Sequence, residues 1–315
     1  MVDMSVKIGG VTLPNPVLPA SGTFSTEYGQ VIDLNRLGGL VTKTVSRNYR
    51  PGNPPPRVYE TEAGMINSIG LPTKGLKYFL DVQLPEYRQY KPPLIVSVTS
   101  TDIDDFAAMV RDVSVEGVDA IELNISCPTR EPGGGNFALN EEHTYKVVKA
   151  CRAMTQKPLW AKLSPNAGDI SAVAEAAEKG GASAVTVSNT ILGLKINLQT
   201  FRSCIGQGYG GISGPGVKPI ILRMVHQCSR CVKIPIIGCG GIMNAEDVVE
   251  YLLAGASAVE VGYLNFRNPT GMVAIIDGLE KWCEKRGFKR VRDLTGGMLS
   301  HPPLDTYEAG KMGIS

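Results

Sequence analysis

Short apolar runs rich in β-branched residues recur along the chain, and each run ends at a polar or glycine-rich turn. The runs are continuous rather than alternating, which is typical of parallel strands that are buried on both faces. The pattern predicts eight such strands, at residues 16–20, 40–45, 94–98, 120–125, 159–163, 184–188, 234–238 and 258–262.

Helical patterns lie between most of these strands. Asp102 and Asn140 stand where N-caps are expected, and Gly180 follows an alanine-rich segment as a C-cap signal. Eight strands that alternate with helices favour an α/β fold, a (β/α)8 TIM barrel in which residues 1–315 form one domain. A doubly wound open sheet is the alternative, but the first strand-to-helix turn lacks its glycine fingerprint. The predicted helices span residues 102–115, 141–154, 169–179, 218–231, 245–253 and 269–286.

Two connections are much longer than ordinary barrel loops. They span residues 46–93 and 189–218, and each follows a strand. Loops after strands lie at the C-terminal face of a barrel, where active sites form, so we expect both insertions to be functional. The second contains a G-x-G-x-x-G motif at residues 206–211, which we interpret as coincidental because no clean strand precedes it and it opens no helix.

Composition narrows the class of protein. The chain has 315 residues, 43% of them hydrophobic, and a net charge of +2, which excludes a disordered chain and gives no argument for a nucleic-acid or membrane partner. No apolar run is long enough to span a membrane and no signal-peptide pattern is present, so we expect a cytoplasmic protein. The seven cysteines are expected to be reduced thiols, and the three isolated histidines predict no metal site.

Polar side chains stand at the predicted carboxyl ends of four strands. A buried lysine is costly unless it meets an anion or an electron-rich group, so two lysines at one mouth predict an anionic ligand. The alternative is that each lysine extends from its strand end to water. These strand-end residues are Lys43, Asn124, Lys162, Ser188, Asn189 and Thr190.

Glycines follow the last two strands, at Gly240, Gly241 and Gly262. This is the common phosphate site of barrels, since a backbone without side chains can approach a phosphate closely. Gly214 is expected to join the same cradle, and tight turns are the alternative for all four glycines.

Cys127 follows the fourth strand and precedes three consecutive glycines at residues 133–135. It is a candidate general base or nucleophile at the foot of a closing loop. The alternative is a small buried hydrophobe, which is the role we assign to the other six cysteines. A thiol, lysines and amides beside a phosphate site favour a flavin enzyme over a hydrolase, with a lysine near the electron-rich edge of the flavin.

Several motifs together resemble the class 1 dihydroorotate dehydrogenases over nearly the whole chain. The segments after Lys162 and before Pro215 are most similar to class 1B, the NAD-linked branch, whose members work with a second subunit that carries FAD and an iron–sulfur cluster. The motifs are NPVLPASG at residues 15–22, GNPPPR at 52–57, GMINSIGL at 64–71, ELNISCP at 122–128, AKLSPN at 161–166 and GISGP at 211–215.

The resemblance implies an FMN-dependent enzyme of pyrimidine biosynthesis that oxidises (S)-dihydroorotate to orotate. It implies that Cys127 is the base that takes the C5 proton, while the C6 hydride passes to N5 of FMN. The implied substrate contacts are Lys43, Asn67, Ser68, Ile69, Gly70, Leu71, Asn124, Asn189 and Thr190. The implied flavin and phosphate contacts are Ala20, Ser21, Lys43, Thr44, Ser97, Asn124, Lys162, Ser188, Gly214, Gly240, Gly241, Gly262 and Tyr263.

The resemblance also implies a homodimer core, extended to a heterotetramer by an electron-transfer subunit with FAD and a 2Fe–2S cluster. NAD, reached through that partner, is then expected rather than fumarate as the acceptor. Three residues depart from the family's pattern. Thr129 stands where an asparagine usually contacts substrate, Ser97 where class 1B has an asparagine, and Tyr263 where a threonine usually follows Gly262. Residues 297–315 also differ from the family's usual short end.

Other functions stay open on the residues alone. Thr129 leaves room for a flavin dehydrogenase that acts on another dihydropyrimidine. The glycine-rich phosphate site alone is compatible with a flavin-free barrel lyase or isomerase of a sugar phosphate. A non-catalytic barrel subunit of a redox complex is the third alternative.

Overall fold

A barrel of parallel strands forms the centre of the molecule. The computed structural model describes residues 1–126 and 136–300. The strands are β1 (Val6–Ile8), β2 (Val11–Leu13), β3 (Val17–Pro19), β4 (Leu40–Val41), β5 (Val58–Thr61), β6 (Gly64–Asn67), β7 (Leu94–Val98), β8 (Ala120–Asn124), β9 (Leu159–Lys162), β10 (Ala184–Val187), β11 (Ile191–Gly193), β12 (Ile196–Asn197), β13 (Arg202–Ser203), β14 (Gly210–Ser213), β15 (Ile236–Gly238) and β16 (Ala258–Val261). Eight of them form one parallel sheet in the order β3-β16-β15-β10-β9-β8-β7-β4.

The two ends of this sheet meet at β3 and β4. The N–H of Gly38, just before β4, donates to the carbonyl of Val17 in β3 over 2.9 Å. The eight strands coincide with the eight apolar runs, so the predicted (β/α)8 barrel is confirmed. Their residues are buried on both faces. Each fully buried Val, Ile or Leu side chain contributes roughly 1.5–3 kcal/mol through its removal from water.

Helices cover the outside of the barrel. The predicted helices correspond to α3–α7 and α9, and each ends within two residues of its predicted bounds. Asp102 and Asn140 have an extended backbone and are the N-caps of α3 and α4. The Asp102 side chain accepts a hydrogen bond from the Asp105 N–H, and the Asn140 side chain accepts one from the His143 N–H, each over 2.9 Å. The helices are α1 (Leu76–Tyr78), α2 (Leu84–Tyr87), α3 (Ile103–Val113), α4 (Glu141–Ala153), α5 (Ile170–Lys179), α6 (Lys218–Ser229), α7 (Ala245–Leu253), α8 (Leu264–Arg267) and α9 (Gly271–Arg286).

The two long insertions pair with each other, which the sequence pattern does not predict. β5 and β6 come from the first insertion, β11 and β14 from the second, and they form a four-stranded sheet in the order β11-β14-β6-β5. In its register Asn67 faces Gly211, and the Asn67 Nδ2 donates to the Gly211 carbonyl over 3.2 Å. The G-x-G-x-x-G segment runs into β14 rather than into a helix, as expected. This sheet holds Asn67 over the mouth of the barrel.

An N-terminal hairpin of β1 and β2, also not predicted, lies at the opposite end of the barrel. Its turn packs so closely that a Cβ at Gly9 would lie 2.7 Å from the carbonyl oxygen of Ser183, just before β10. The hairpin thus covers the amino ends of β9 and β10, whereas the insertions lie at the carboxyl ends. In the part of the chain that the structure describes, no helix is long and apolar enough to cross a membrane.

Candidate active site

A cavity of about 360 Å³ lies at the carboxyl ends of the barrel strands. This volume is within the range of small-molecule sites, about 300–1,000 Å³. The barrel and the four-stranded sheet β11-β14-β6-β5, here called the insertion sheet, thus bring together residues that are far apart in the chain. The predicted site residues that line the cavity are Ala20, Ser21, Lys43, Thr44, Asn67, Ile69, Gly70, Leu71, Asn124, Lys162, Ser188, Asn189, Thr190, Gly240, Gly241, Gly262 and Tyr263.

Two asparagine amides in the wall are held by neighbouring hydroxyls. Asn124, at the end of β8, donates through Nδ2 to Thr44 Oγ1 over 3.0 Å. Asn189 donates through Nδ2 to Ser126 Oγ over 3.0 Å, and the Ser126 hydroxyl donates to Asn124 Oδ1 over 3.4 Å. These bonds restrict the rotation of both amides, so their remaining donors and acceptors are presented to the cavity in a fixed arrangement.

The Lys43 amine follows β4 and is exposed towards the cavity. Partial burial lowers its pKa; the nearby Glu27 opposes this change and Arg57 adds to it. Within residues 1–126 and 136–300, no side chain forms a hydrogen bond or an ion pair with this amine. A cation exposed at the mouth can bind an anionic group of a ligand.

Lys162 extends from the end of β9 into a buried cluster of charges. Its Nζ lies 2.6 Å from Glu260 Oε2 and 3.6 Å from Glu122 Oε2, and it donates to Ser21 Oγ over 3.2 Å. Burial alone lowers the pKa of this lysine, but the carboxylates of Glu122 and Glu260 outweigh that effect and raise it above its ordinary value. Lys162 therefore stays positive, and among these three charged residues it alone lines the cavity.

Contacts between α6 and α7 hold the glycine loop that follows β15. Lys218 Nζ lies 2.6 Å from Asp247 Oδ1, which joins the starts of the two helices. The hydroxyl of Tyr251 donates to the Gly240 carbonyl over 2.6 Å. Gly241 has a φ of +67°, and a Cβ there would lie 2.8 Å from the Lys218 backbone nitrogen. The loop thus has no room for a side chain at this position.

Some predicted site residues do not line the cavity. Ser68 is buried and accepts a hydrogen bond from Asn53 Nδ2 over 2.7 Å. Gly214 packs against the Gly64 backbone, where a Cβ would lie 2.5 Å from the Gly64 Cα. Ser97 is fully buried beneath the wall and bonds Thr44 Oγ1 over 2.9 Å. Their binding roles stay predictions.

Two residues to which the sequence assigns importance, Cys127 and Thr129, lie outside the described residues. Cys127 directly follows Ser126, which is buried and hydrogen-bonded to both wall asparagines. The role of Cys127 as a base therefore stays a prediction.

Sequence reasoning missed other residues at the site. The carboxyl groups of Glu122 and Glu260 are fully buried in the barrel interior. The sequence pattern that could have identified them is a charged residue in the middle of an apolar strand, because a buried charge needs a partner. Cys239, which we assigned to packing, also lines the cavity, and burial raises its pKa to about 12, so it is a neutral thiol. The remaining lining residues are Gly22, Thr23, Val58, Met65, Pro72, Ile191, Ile212, Ser213, Val217, Ile221 and Phe266.

Comparison with known proteins places the chain in a family. Residues 3–283 match the sequence profile of the family described as dihydroorotate dehydrogenase. The chain is 43% identical over 299 residues to the protein named dihydroorotate dehydrogenase B (NAD(+)), catalytic subunit, of Thermoanaerobacter pseudethanolicus, which covers 94% of this chain and 99% of that one. It is 44% identical over 303 residues to the protein of the same name from Porphyromonas gingivalis, covering 95% and 99%.

A solved structure supports the fold. The DHODH of Eimeria tenella, crystallised in complex with ferulenol, matches with a TM-score of 0.77 and 23% identity, over 94% of this chain and 88% of that chain. The barrel and the sequence profile therefore agree, and the chain belongs to the dihydroorotate dehydrogenase family.

Proposed function

We propose that this chain is the FMN-dependent catalytic subunit of a dihydroorotate dehydrogenase, which oxidises (S)-dihydroorotate to orotate in pyrimidine biosynthesis. The observation that carries the proposal is one cavity that combines Lys43 and asparagine amides with Lys162 and the glycine loops after β15 and β16. The family match over residues 3–283 and the names of the relatives support the same activity.

The residues of the cavity fit FMN. The backbone at Gly241 is packed too closely for a side chain, and such a loop suits a phosphate because its N–H groups can be approached directly. Lys162 provides a fixed positive charge that suits the electron-rich edge of a flavin, while Ile212 and Val217 provide apolar wall for a flat ring. FMN, when bound, supplies the hydride acceptor of the reaction.

The wall residues suit dihydroorotate, an anion with a carboxylate and ring amides. Lys43 supplies positive charge for the carboxylate, and the amides of Asn67, Asn124 and Asn189 both donate and accept hydrogen bonds. These residues would bind the substrate and restrict its orientation in the cavity. Oxidation removes a proton from C5 and a hydride from C6, and the C5=C6 double bond of orotate forms.

Cys127 is the proposed base for the C5 proton. It directly follows Ser126, whose hydroxyl lies between the amides of Asn124 and Asn189. A thiol with an ordinary pKa of about 8.5 is mostly protonated at neutral pH, so proton abstraction requires that the site favour the thiolate.

We also propose that the chain acts as one FMN-binding domain in a cytoplasmic homodimer core, with electrons leaving to NAD through a partner subunit that carries FAD and a 2Fe–2S cluster. The relatives' names, which specify NAD(+) and a catalytic subunit, support this part. Copurification with a second, FAD-containing subunit tests it, whereas turnover with fumarate alone would contradict it.

The activity is tested with the purified protein after incubation with FMN. We expect the flavin absorbance spectrum to stay with the protein on gel filtration, and orotate to form from dihydroorotate with an artificial electron acceptor. Cys127→Ser should abolish most turnover while flavin content is retained, and Cys283→Ser, at a buried packing position, is the matched control. A colourless protein that forms no orotate with any acceptor would refute the proposal and favour a flavin-free barrel enzyme.

A further inference from the structure

A cluster of three charged side chains fills part of the barrel interior below the cavity. Glu122 on β8, Lys162 on β9 and Glu260 on β16 have side chains that are 0%, 5% and 0% exposed. Lys162 Nζ lies 2.6 Å from Glu260 Oε2 and 3.6 Å from Glu122 Oε2. The remaining oxygens have weaker partners, since Glu122 Oε1 accepts from Ser97 Oγ over 2.8 Å and Glu260 Oε1 from Thr186 Oγ1 over 3.3 Å.

The cluster is not neutral if both carboxyl groups are ionised. Two carboxylates and one ammonium then carry a net charge of −1 among side chains that are at most 5% exposed, where an uncompensated charge is costly. Glu122 Oε2 is also buried without a hydrogen-bond partner among the described residues. A proton on one of the two carboxyl groups would remove the net charge and turn an acceptor into a donor.

The titratable groups around Glu260 also favour a protonated carboxyl group in the cluster. Burial, together with the nearby Glu122, raises the pKa of Glu260 to about 8 in spite of the attraction of Lys162. Among the described residues, the titratable groups that face this carboxyl are Glu122 on β8, Lys162 on β9 and the Cys239 thiol after β15. Cys239 stays neutral and Lys162 stays positive, so the group of this cluster that can lose or gain a proton near neutral pH is a carboxyl group.

Two routes connect this cluster with the cavity. The first is Lys162, which lines the cavity and donates to Ser21. The second is a line of hydrogen bonds in which Ser97 donates to Glu122 and bonds Thr44 Oγ1 over 2.9 Å, while Thr44 accepts from Asn124. Thr44 and Asn124 are both wall residues. A change in charge at the cluster therefore reaches the ligand through groups that touch it.

We propose that Glu122 and Glu260 share one proton at neutral pH, and that this proton keeps the cluster neutral, so that no excess negative charge lies behind the Lys162 ammonium at the cavity. Glu122 and Glu260 act through Lys162 and are positioning residues; their effect on a bound flavin rests on the proposed function. When the proton leaves to solvent at alkaline pH, the cluster gains a charge of −1 and opposes negative charge on the ligand.

Infrared spectroscopy of the flavin-free protein tests the shared proton. A protonated carboxyl group has a carbonyl band that a carboxylate lacks, so we expect a band near neutral pH that is lost on titration above about pH 8. Glu260→Gln and Glu122→Gln should each abolish this band, because Lys162 then neutralises the single remaining carboxylate. Glu116→Gln, at an exposed position, is the control and should retain it.

Absence of the band from the wild-type protein at neutral pH, or its persistence in either buried variant, would overturn the shared proton. If one buried variant does not fold, the wild-type titration and the other variant still decide. This measurement uses no flavin, so its result is independent of whether the chain binds FMN.

The effect on the cavity is tested with the FMN-loaded protein, through the midpoint potential of the bound flavin as a function of pH. The wild-type protein and Glu260→Gln are expected to have closely similar potentials near pH 6.5. Above the transition the wild-type potential should fall below that of the variant, because only the wild-type cluster gains a negative charge. Parallel pH profiles would refute the role of the cluster, whereas failure to bind FMN would contradict the proposed function.

Discussion

Replacement of Lys162 by methionine removes the positive charge from the buried cluster while it keeps most of the side-chain volume. The lysine Nζ lies 2.6 Å from Glu260 Oε2, and the two side chains are 5% and 0% exposed. At an effective dielectric constant of roughly 20, the attraction across this distance is about 6 kcal/mol. Part of it offsets the desolvation of the two groups, so we expect Lys162→Met to lower the free energy of unfolding by about 3–5 kcal/mol.

Urea unfolding, followed by the fluorescence of the buried Trp160 on the same strand, measures this loss. The loss should shrink at acidic pH, because protonation of the orphaned carboxyl groups removes the uncompensated charge. Adding Glu260→Gln to Lys162→Met should restore part of the stability for the same reason.

Lys179→Met is the matched control. Lys179 likewise pairs with a glutamate, with its Nζ 2.9 Å from Glu175 Oε2, but this pair lies on a helix surface and the lysine side chain is 69% exposed. Such a pair contributes about 0.3–0.5 kcal/mol. If the two methionine variants lose the same stability within about 1 kcal/mol, the buried cluster does not contribute as its geometry requires.

Three further changes have defined outcomes. Because the pKa of Glu260 is raised from 4.5 to about 8, the folded chain holds a proton that the unfolded chain loses between these two pH values. The free energy of unfolding should therefore fall as pH rises across this interval, and Glu260→Gln should flatten the slope in urea titrations. Gly241 has a φ of +67° and no room for a Cβ, so Gly241→Ala should destabilise the fold by at least about 1–2 kcal/mol and reduce FMN retention on gel filtration. Gly287→Ala is the control: at a φ of +78° with no atom within 4 Å of the added Cβ, it should show the cost of the backbone strain alone. Lys43→Met should weaken orotate binding by roughly 10- to 100-fold in calorimetric titrations of the FMN-loaded protein, since a charge-assisted hydrogen bond is lost; an unchanged affinity would remove Lys43 from the substrate site.

Local patterns along the chain were sufficient to predict the barrel. A strand that is buried on both faces requires a continuous apolar run, and a helix requires a cap, and both signals are confined to a few neighbouring residues. β7 was predicted with the bounds that the structure shows, Leu94–Val98. The strand-end residues followed from the barrel, because parallel strands bring all their carboxyl ends to one face.

The insertion sheet was beyond such reasoning. The pairing of Asn67 with Gly211 joins residues from two different insertions, and no periodicity within either insertion specifies the other as its partner. The same holds for Ser68 and Gly214, which the motifs placed at the ligand and the structure places against Asn53 and Gly64. Contact with a ligand depends on where a side chain points, which the motif alone does not specify.

By itself, then, the sequence determined the strand order, the helix caps, the face of the barrel that carries the site and the family to which the chain belongs. Only the tertiary structure decided that Glu122, Lys162 and Glu260, from three separate strands, form one closed cluster below the cavity. The physical reason is that secondary structure follows from interactions between near neighbours, whereas the charge state of a buried group depends on its distance to other charges and on its separation from water. Both are properties of the folded chain.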